Sequence, residues 1–259
     1  MHRHEHSHVE VCGRRLEVRT IAGGPGRPVL VFLHEGLGSV AMWRGFPARV
    51  AEVTGCPALV YSRYGYGASD VLEAPLAVDY MHREAQEVLP ALLAQLGIER
   101  PILVGHSDGA SIALIYAGTR PDAVRGLVAL APHVFVEDVS VQSIREAKVA
   151  FETTEMARKL ARYHVDARRT FYGWNDIWLH PDFRRWNIEE YLPRIRCPVL
   201  ALQGMDDTYG TMAQIDAIAA QVAGPCELVR LEACGHSAHR DQHDATLETV
   251  ARFVARVAG

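Results

Sequence analysis

The sequence predicts an α/β fold in which a mostly parallel sheet carries helices on both of its faces. Short apolar runs alternate with longer segments of helical period, as expected when crossover helices connect successive strands. The runs are nearly continuous, which is typical of strands that are covered on both sides. The clearest strands are predicted at 29–33, 58–61, 102–104, 126–130, 199–202 and 227–230.

The remaining elements follow from period and turn signals. Alternation over residues 8–22, around Gly13, predicts an antiparallel hairpin at the sheet edge. Four segments have helical period, and we expect helices over 79–96, 108–118, 211–222 and 243–257.

The strand–helix alternation breaks between about 136 and 196. We therefore predict a core of residues 1–135 and 197–259 with a helical cap inserted at 136–196. One long amphipathic helix is expected over 139–163, followed by an aromatic-rich stretch. We expect the inner rings of this cap to line an apolar pocket, with Trp174 or Trp178 touching substrate.

Composition excludes several classes of function. The chain has 259 residues, 49% hydrophobic and 22% charged, which fits one large α/β domain with a sizeable core. No run approaches the roughly 20 apolar residues that a membrane helix needs, so no membrane contact is expected. The formal net charge of -4 argues against nucleic-acid binding, which requires a basic face.

Metal and cofactor signals are weak. The five cysteines are scattered and lack a C-x-x-C pair, which argues against disulfides and thiolate zinc sites. The sequence has no H-E-x-x-H, no P-loop and no G-x-G-x-x-G after a strand, so neither metal nor cofactor is predicted. Histidines at 2, 4, 6 and 8 could ligate a metal, but we interpret them as a frayed polar tail. This tail lacks the apolar stretch of a secretory signal, so we expect a cytoplasmic protein.

The strongest chemical motif is G-x-S-x-G, formed by Gly105, Ser107 and Gly109. It follows a predicted strand and opens a predicted helix, which is the context of a nucleophile elbow. The sharp turn projects the serine oxygen clear of the backbone, and the two glycines allow close packing of the strand and the helix. Because a serine hydroxyl is a weak nucleophile, a histidine base and an orienting acid are expected downstream.

Candidates for both partners follow later strands. Asp206 and Asp207 follow the strand at 199–202, while His236, His239 and His243 follow the strand at 227–230. The loops therefore lie at strand carboxyl ends, where open α/β sheets place their sites. The residues alone leave these alternatives open.

At this point the chain resembles the α/β-hydrolase superfamily over nearly its whole length. The match includes the turn at His34, the elbow, the cap insertion, the G-x-x-D loop and the final Gly-His pair. The resemblance implies that Asp207 is the acid and His236 the base. It leaves His239 as a loop or helix-capping residue and His243 on the exposed face of the last helix.

Two backbone N–H groups must stabilise the oxyanion of the reaction. The elbow predicts the N–H of Asp108 as one donor, and the resemblance places the other at Gly36. Here Glu35 replaces the glycine that usually follows the histidine. Asp108 suits the positive end of a helix, but it could also act with Glu35 to exclude anionic substrates. Trp43 and His133 are further candidates for substrate contact.

These residues predict a serine hydrolase that forms an acyl-enzyme without a cofactor. The expected substrate is a small carboxylic ester with an apolar part, or a thioester or lactone. Aspartate would be needed at position 107 for epoxide or haloalkane hydrolysis. The alternatives are a C–C bond hydrolase of aromatic ring-cleavage products and a non-catalytic small-ligand receptor. A homodimer is considered possible.

Overall fold

The computed structural model describes residues 4–259. Its eight strands are β1 (His4–Val11), β2 (Arg14–Ile21), β3 (Leu30–Leu33), β4 (Ala58–Tyr61), β5 (Ile102–His106), β6 (Gly126–Leu130), β7 (Val199–Gly204) and β8 (Cys226–Leu231). They form one sheet in the order β1-β2-β4-β3-β5-β6-β7-β8; the pairs β1–β2 and β2–β4 are antiparallel and the others parallel. The mostly parallel sheet predicted from the sequence is therefore confirmed.

The helices follow the strands in the expected alternation. None of those within residues 4–259 is long and apolar enough to cross a membrane. They are α1 (Phe46–Thr54), α2 (Tyr80–Arg83), α3 (Leu89–Gln95), α4 (Asp108–Thr119), α5 (Asp138–Thr153), α6 (Met156–Leu160), α7 (Ala167–Trp178), α8 (Ala213–Gln221), α9 (Ala238–Asp241) and α10 (His243–Ala258), with a π-helical turn at Glu84–Val88 and 3-10 turns at Ala41–Trp43, Pro181–Arg185 and Glu189–Arg194.

Both faces of the sheet are covered, as the continuous apolar runs predicted. The four residues of β3 are fully buried and alternate between two clusters of the core. Val31 and Leu33 belong to one cluster, whereas Leu30 and Phe32 belong to the other. Because side chains on both faces of β3 are buried, the carboxyl end of this strand lies in the interior and can position the loop that follows.

The N-terminal hairpin is longer than predicted. β1 begins at His4, which pairs with Ile21, and the ladder continues to the Val11–Arg14 pair. The interpretation of the histidines as a frayed tail is therefore wrong from His4 onward, because β2 satisfies the backbone of this segment. His2 lies outside the described residues.

The helix predicted over 139–163 is divided into two. α5 ends before Thr154, whose backbone is extended at φ −123° and ψ −176°. The Thr154 hydroxyl donates to the Ala150 carbonyl and accepts from the Met156 N–H, so it interrupts the helical ladder. Side-chain bonds of this kind compete with backbone helix bonds. The periodicity therefore identifies the helical residues on both sides of Thr154 but does not predict the end of α5.

The segment between β6 and β7 contains α5, α6 and α7, and the division into core and cap remains a prediction. His164, only 6% exposed, joins this segment to loops of the sheet. Its Nδ1 accepts from the Gly67 N–H at 2.9 Å, and its Nε2 donates to the Leu37 carbonyl at 3.0 Å. Both ring nitrogens of the neutral imidazole are therefore used.

We expect His164→Leu to lower the free energy of unfolding by about 2–4 kcal/mol, because it leaves two backbone groups without partners. Urea denaturation measures the change. His180→Leu, at a half-exposed histidine of the same segment, is the control and should cost less than about 1 kcal/mol. Equal losses in the two variants would contradict this role of His164.

Candidate active site

Ser107 occupies a sharp turn between β5 and α4. Its backbone has φ 53° and ψ −121°, a strained conformation that costs about 1–3 kcal/mol outside glycine. The close approach of the chain on both sides requires glycine. A Cβ on Gly105 would lie 2.4 Å from the Gly109 carbonyl oxygen, and one on Gly109 would lie 2.1 Å from the Leu33 carbonyl oxygen. A strained serine between two glycines that have no room for a side chain is what the nucleophile-elbow prediction requires.

His236 is bound to Asp207 rather than to Asp206. Its Nδ1 lies 2.9 Å from each carboxylate oxygen of Asp207, whose side chain is almost fully buried. Because a carboxylate only accepts, Nδ1 carries the proton and Nε2 is the nitrogen that can accept one. Asp206 is exposed, and its N–H donates to the Cys234 carbonyl.

The environment keeps Asp207 ionised. Burial alone would raise the pKa of its carboxyl, but the hydrogen bonds from the His236 ring and from the Tyr209 N–H outweigh burial and lower that pKa. The N–H of Tyr209 donates to the same carboxylate at 2.8 Å, and the amide of Gln203 donates at 3.2 Å. An ionised, oriented acid is what a catalytic histidine requires.

The loop after β3 lies beside α7 of the inserted segment. A Cβ on Gly36 would be 2.1 Å from Trp174 Nε1, so the indole lies directly against the Cα of Gly36. Trp178 makes a different contact, with a side chain outside this loop. Its Nε1–H donates to the Tyr80 hydroxyl at 3.1 Å, and that hydroxyl donates to Asp108 Oδ2 at 2.6 Å. Trp174 is thus the tryptophan placed against Gly36, whereas the polar atom of Trp178 is already bonded.

The interpretation of Glu35 and Asp108 as a screen against anionic substrates needs correction. Asp108 is fully buried, and its Oδ2 lies 3.7 Å from Arg63 Nη2. Glu35 Oε1 lies 3.3 Å from Arg240 Nη2. Each carboxylate therefore faces a guanidinium that offsets its charge. Arg63 also donates to the Glu35 carbonyl at 3.0 Å, so it braces the loop as well as the acid.

The two other candidates for substrate contact, Trp43 and His133, lie in different surroundings. Trp43 is 2% exposed and packs edge-on against Phe32, so the prediction that it contacts substrate is corrected to a core role. His133 lies at the carboxyl end of β6 with its ring centroid 5.9 Å from that of His236. Burial lowers the pKa of His133 to about 3, so its ring is neutral beside the predicted base.

His239 is a core residue and not the loop or capping residue that was expected. It is 3% exposed, its ring packs 4.9 Å from that of Trp43, and neither ring nitrogen has a hydrogen-bond partner among the described residues. Burial lowers its pKa to about 3. His243 begins α10 and is partly exposed, as expected.

We expect His239→Phe to weaken the acid dependence of stability. The unfolded chain binds a proton at His239 below about pH 6.5 but the folded chain does not until about pH 3, so His239 destabilises the fold as pH falls. Relative to wild type, the variant should gain about 2–3 kcal/mol in unfolding free energy between pH 7.5 and pH 4.5. Urea denaturation at both pH values measures this gain. His8→Phe, at an exposed histidine, should show none, and an equal gain there would contradict the assignment.

Two cavities lie beside the inserted segment and the hairpin, of about 380 Å³ and 410 Å³. They share the segment 72–76; α7 lines the first, and Arg63 and Tyr80 line the second. The apolar substrate pocket predicted from the cap remains a prediction. Within residues 4–259, no group of three or more histidine, cysteine or acidic side chains has the arrangement of a metal site.

Comparison with known proteins gives the family. The chain is 30% identical over 146 residues to epoxide hydrolase 2 of Siraitia grosvenorii, covering 56% of this chain and 44% of that protein. It is 41% identical over 117 residues to the putative carbamate hydrolase RutD of Klebsiella pneumoniae, covering 42% of this chain and 41% of that protein. The chain therefore spans less than half the length of these curated relatives.

The similarity in fold extends over almost the whole chain. The structure of the enol-lactonase from Burkholderia xenovorans LB400 matches with a TM-score of 0.75 at 20% identity, covering 96% of this chain and 99% of the other. The model of the alpha/beta hydrolase family matches residues 30–249, which include every residue placed at the candidate site. The chain therefore belongs to the alpha/beta hydrolase family.

Proposed function

We propose that the protein is a serine hydrolase that cleaves a small carboxylic ester, thioester or lactone. The observation that carries the proposal is the pairing of His236 Nδ1 with both oxygens of Asp207 at 2.9 Å, at the same sheet edge as the strained turn of Ser107. The pairing leaves His236 Nε2 free to accept a proton, and the turn presents a hydroxyl that can supply one.

The reaction would proceed in two steps. Ser107 Oγ attacks the carbonyl carbon while His236 Nε2 takes its proton, and the N–H groups of Gly36 and Asp108 stabilise the oxyanion. The C–O or C–S bond to the leaving group then breaks, and His236 returns the proton to that group. Water, deprotonated by His236, attacks the acyl-serine ester and releases the carboxylic acid and free Ser107.

A serine at position 107 disfavours the epoxide chemistry that the name of one relative states. Attack of a serine oxygen on an epoxide carbon would form an ether, which water does not cleave under mild conditions. Attack on an acyl carbon forms an ester, which an activated water does cleave. The nucleophile therefore favours acyl transfer over epoxide opening.

A substrate panel with the purified protein tests this proposal. We expect many turnovers of a short p-nitrophenyl ester, an acyl-CoA thioester or a lactone. Release of no more than one equivalent of product from every substrate would contradict hydrolysis and favour the receptor alternative. Turnover of a ring-cleavage dienoate and of no other substrate would contradict ester hydrolysis and favour the C–C hydrolase alternative.

A further inference from the structure

Glu35 lies at the junction of three loops that carry the candidate site. Its Oε2 is 3.4 Å from His106 Nδ1, and its Oε1 is 3.3 Å from Arg240 Nη2. Glu35 directly precedes Gly36, and His106 directly precedes Ser107. One carboxylate thus connects the predicted oxyanion loop, the nucleophile elbow and the helix that follows the predicted base.

The contacts of His106 limit where its ring can carry hydrogen. His106 is fully buried, and its Nε2 lies 2.8 Å from the backbone carbonyl oxygen of His236. Because a carbonyl oxygen only accepts, Nε2 must carry a hydrogen. Nδ1 faces the Glu35 carboxylate, so a second proton is needed between these two groups to avoid contact of two lone pairs.

The surroundings of Glu35 favour its charged form. Burial would raise the pKa of the Glu35 carboxyl, but its contact with His106 and the charge of Arg240 outweigh burial and hold that pKa well below its usual value. A charged carboxylate that faces Nδ1 is the partner that an imidazolium at His106 would have. This buried pair has a side-chain exposure of 0% at the histidine and 14% at the glutamate.

The other charged or titratable groups around the pair support this assignment. The rings of His236 and His239 lie 5.1 Å and 5.0 Å from that of His106, and burial lowers the pKa of His239 to about 3, so that ring adds no charge. Arg240 shares the carboxylate from its other side. The absence of a side chain at Gly38 leaves room for the Glu35 carboxylate, since a Cβ on Gly38 would lie 2.4 Å from Glu35 Oε2.

We propose that Glu35 and His106 form a buried ion pair, and that His106 is a positioning residue that holds His236 in place through its backbone carbonyl. The inference rests on the proposed function, because it assigns the pair to the histidine that serves as base. The imidazole of His236 is held at one end by Asp207 and its main chain is held by His106. Loss of the second contact lets the ring move relative to Ser107, and a displacement of about 1 Å can cost about 100-fold in rate.

Kinetics of two variants at one position test the positioning role. We expect His106→Leu to lower kcat for ester hydrolysis about 10- to 100-fold with KM changed less than threefold. His106→Gln should restore kcat to within about threefold of wild type, since the Gln amide nitrogen reaches the position of Nε2 and donates to the His236 carbonyl. Glu227→Gln removes a surface partner of Arg256 and should leave kcat unchanged. Equal kcat in His106→Leu and His106→Gln would overturn the positioning role.

A second measurement tests the ion pair without requiring activity. We expect NMR of the ¹⁵N-histidine-labelled protein to show one imidazole that carries protons on both nitrogens at pH 8. The signal should disappear in His106→Gln and change to a singly protonated ring in Glu35→Gln. A singly protonated His106 in the wild-type protein would overturn the pair. Presence of the imidazolium with no turnover of any substrate would instead contradict the proposed function and leave the pair intact.

Discussion

Replacing Ser107 with alanine is expected to lower kcat for ester hydrolysis by about 10⁶-fold, because alanine has no oxygen to form the acyl-enzyme. What remains is the acceleration that binding and the oxyanion donors supply by themselves. Steady-state kinetics with a p-nitrophenyl ester measures the loss. A fluorophosphonate probe should label the wild-type protein and fail to label Ser107→Ala.

The control for this experiment is Ser7→Ala, which removes an exposed hydroxyl from β1. It should retain wild-type turnover and labelling. Circular dichroism and urea denaturation establish whether Ser107→Ala is folded, since a cooperative transition would exclude unfolding as the cause. Near-normal turnover in a folded Ser107→Ala protein would eliminate the acyl-serine mechanism.

Replacing Asp207 with asparagine is expected to lower kcat by about 10⁴-fold. The amide cannot stabilise the imidazolium that forms when His236 accepts a proton, and its NH₂ group favours the wrong tautomer of the ring. The N–H of Tyr209, which donates to Asp207 Oδ1 at 2.8 Å, can still donate to the amide oxygen, so the loop should be retained. The same ester assay measures the change.

Asp206→Asn is the matched control, since it makes the same chemical change one residue earlier on an exposed side chain. Its kcat should stay within about threefold of wild type. A large loss in Asp206→Asn together with a small loss in Asp207→Asn would show that the acid had been assigned to the wrong neighbour.

Much of the fold could be predicted because its signals are local. The runs that form β3, β4, β5, β6, β7 and β8 are apolar along the chain, and burial on two sides requires no information from distant residues. The break at Thr154 was missed because a threonine hydroxyl can bond within a helix or end it, and periodicity does not distinguish these outcomes. The extent of β1 was missed because pairing with β2 overrode the polar composition of the N-terminal residues.

The candidate site divides in the same way. The elbow at Ser107 could be predicted because its glycines stand two residues before and two after the serine. Asp207 and His236 are separated by 29 residues. Neither composition nor spacing distinguishes Asp207 from Asp206 as the partner of His236, so the sequence-based choice depended on the resemblance. Trp43 and Trp174 are alike as residues, but one lies in the core and the other covers Gly36.

By itself, the sequence determined the class of fold, the alternation of its elements and the turn that presents Ser107. Only the tertiary structure decided what the charged residues do. The partner of Glu35 is Arg240, 205 residues away, and Arg63 faces Asp108 across a buried contact. Electrostatic energy depends on distance through space and on burial, neither of which is local along the chain. For that reason two carboxylates that suggested a negatively charged pocket each face a guanidinium, and one of them also lies 3.4 Å from the histidine that precedes Ser107.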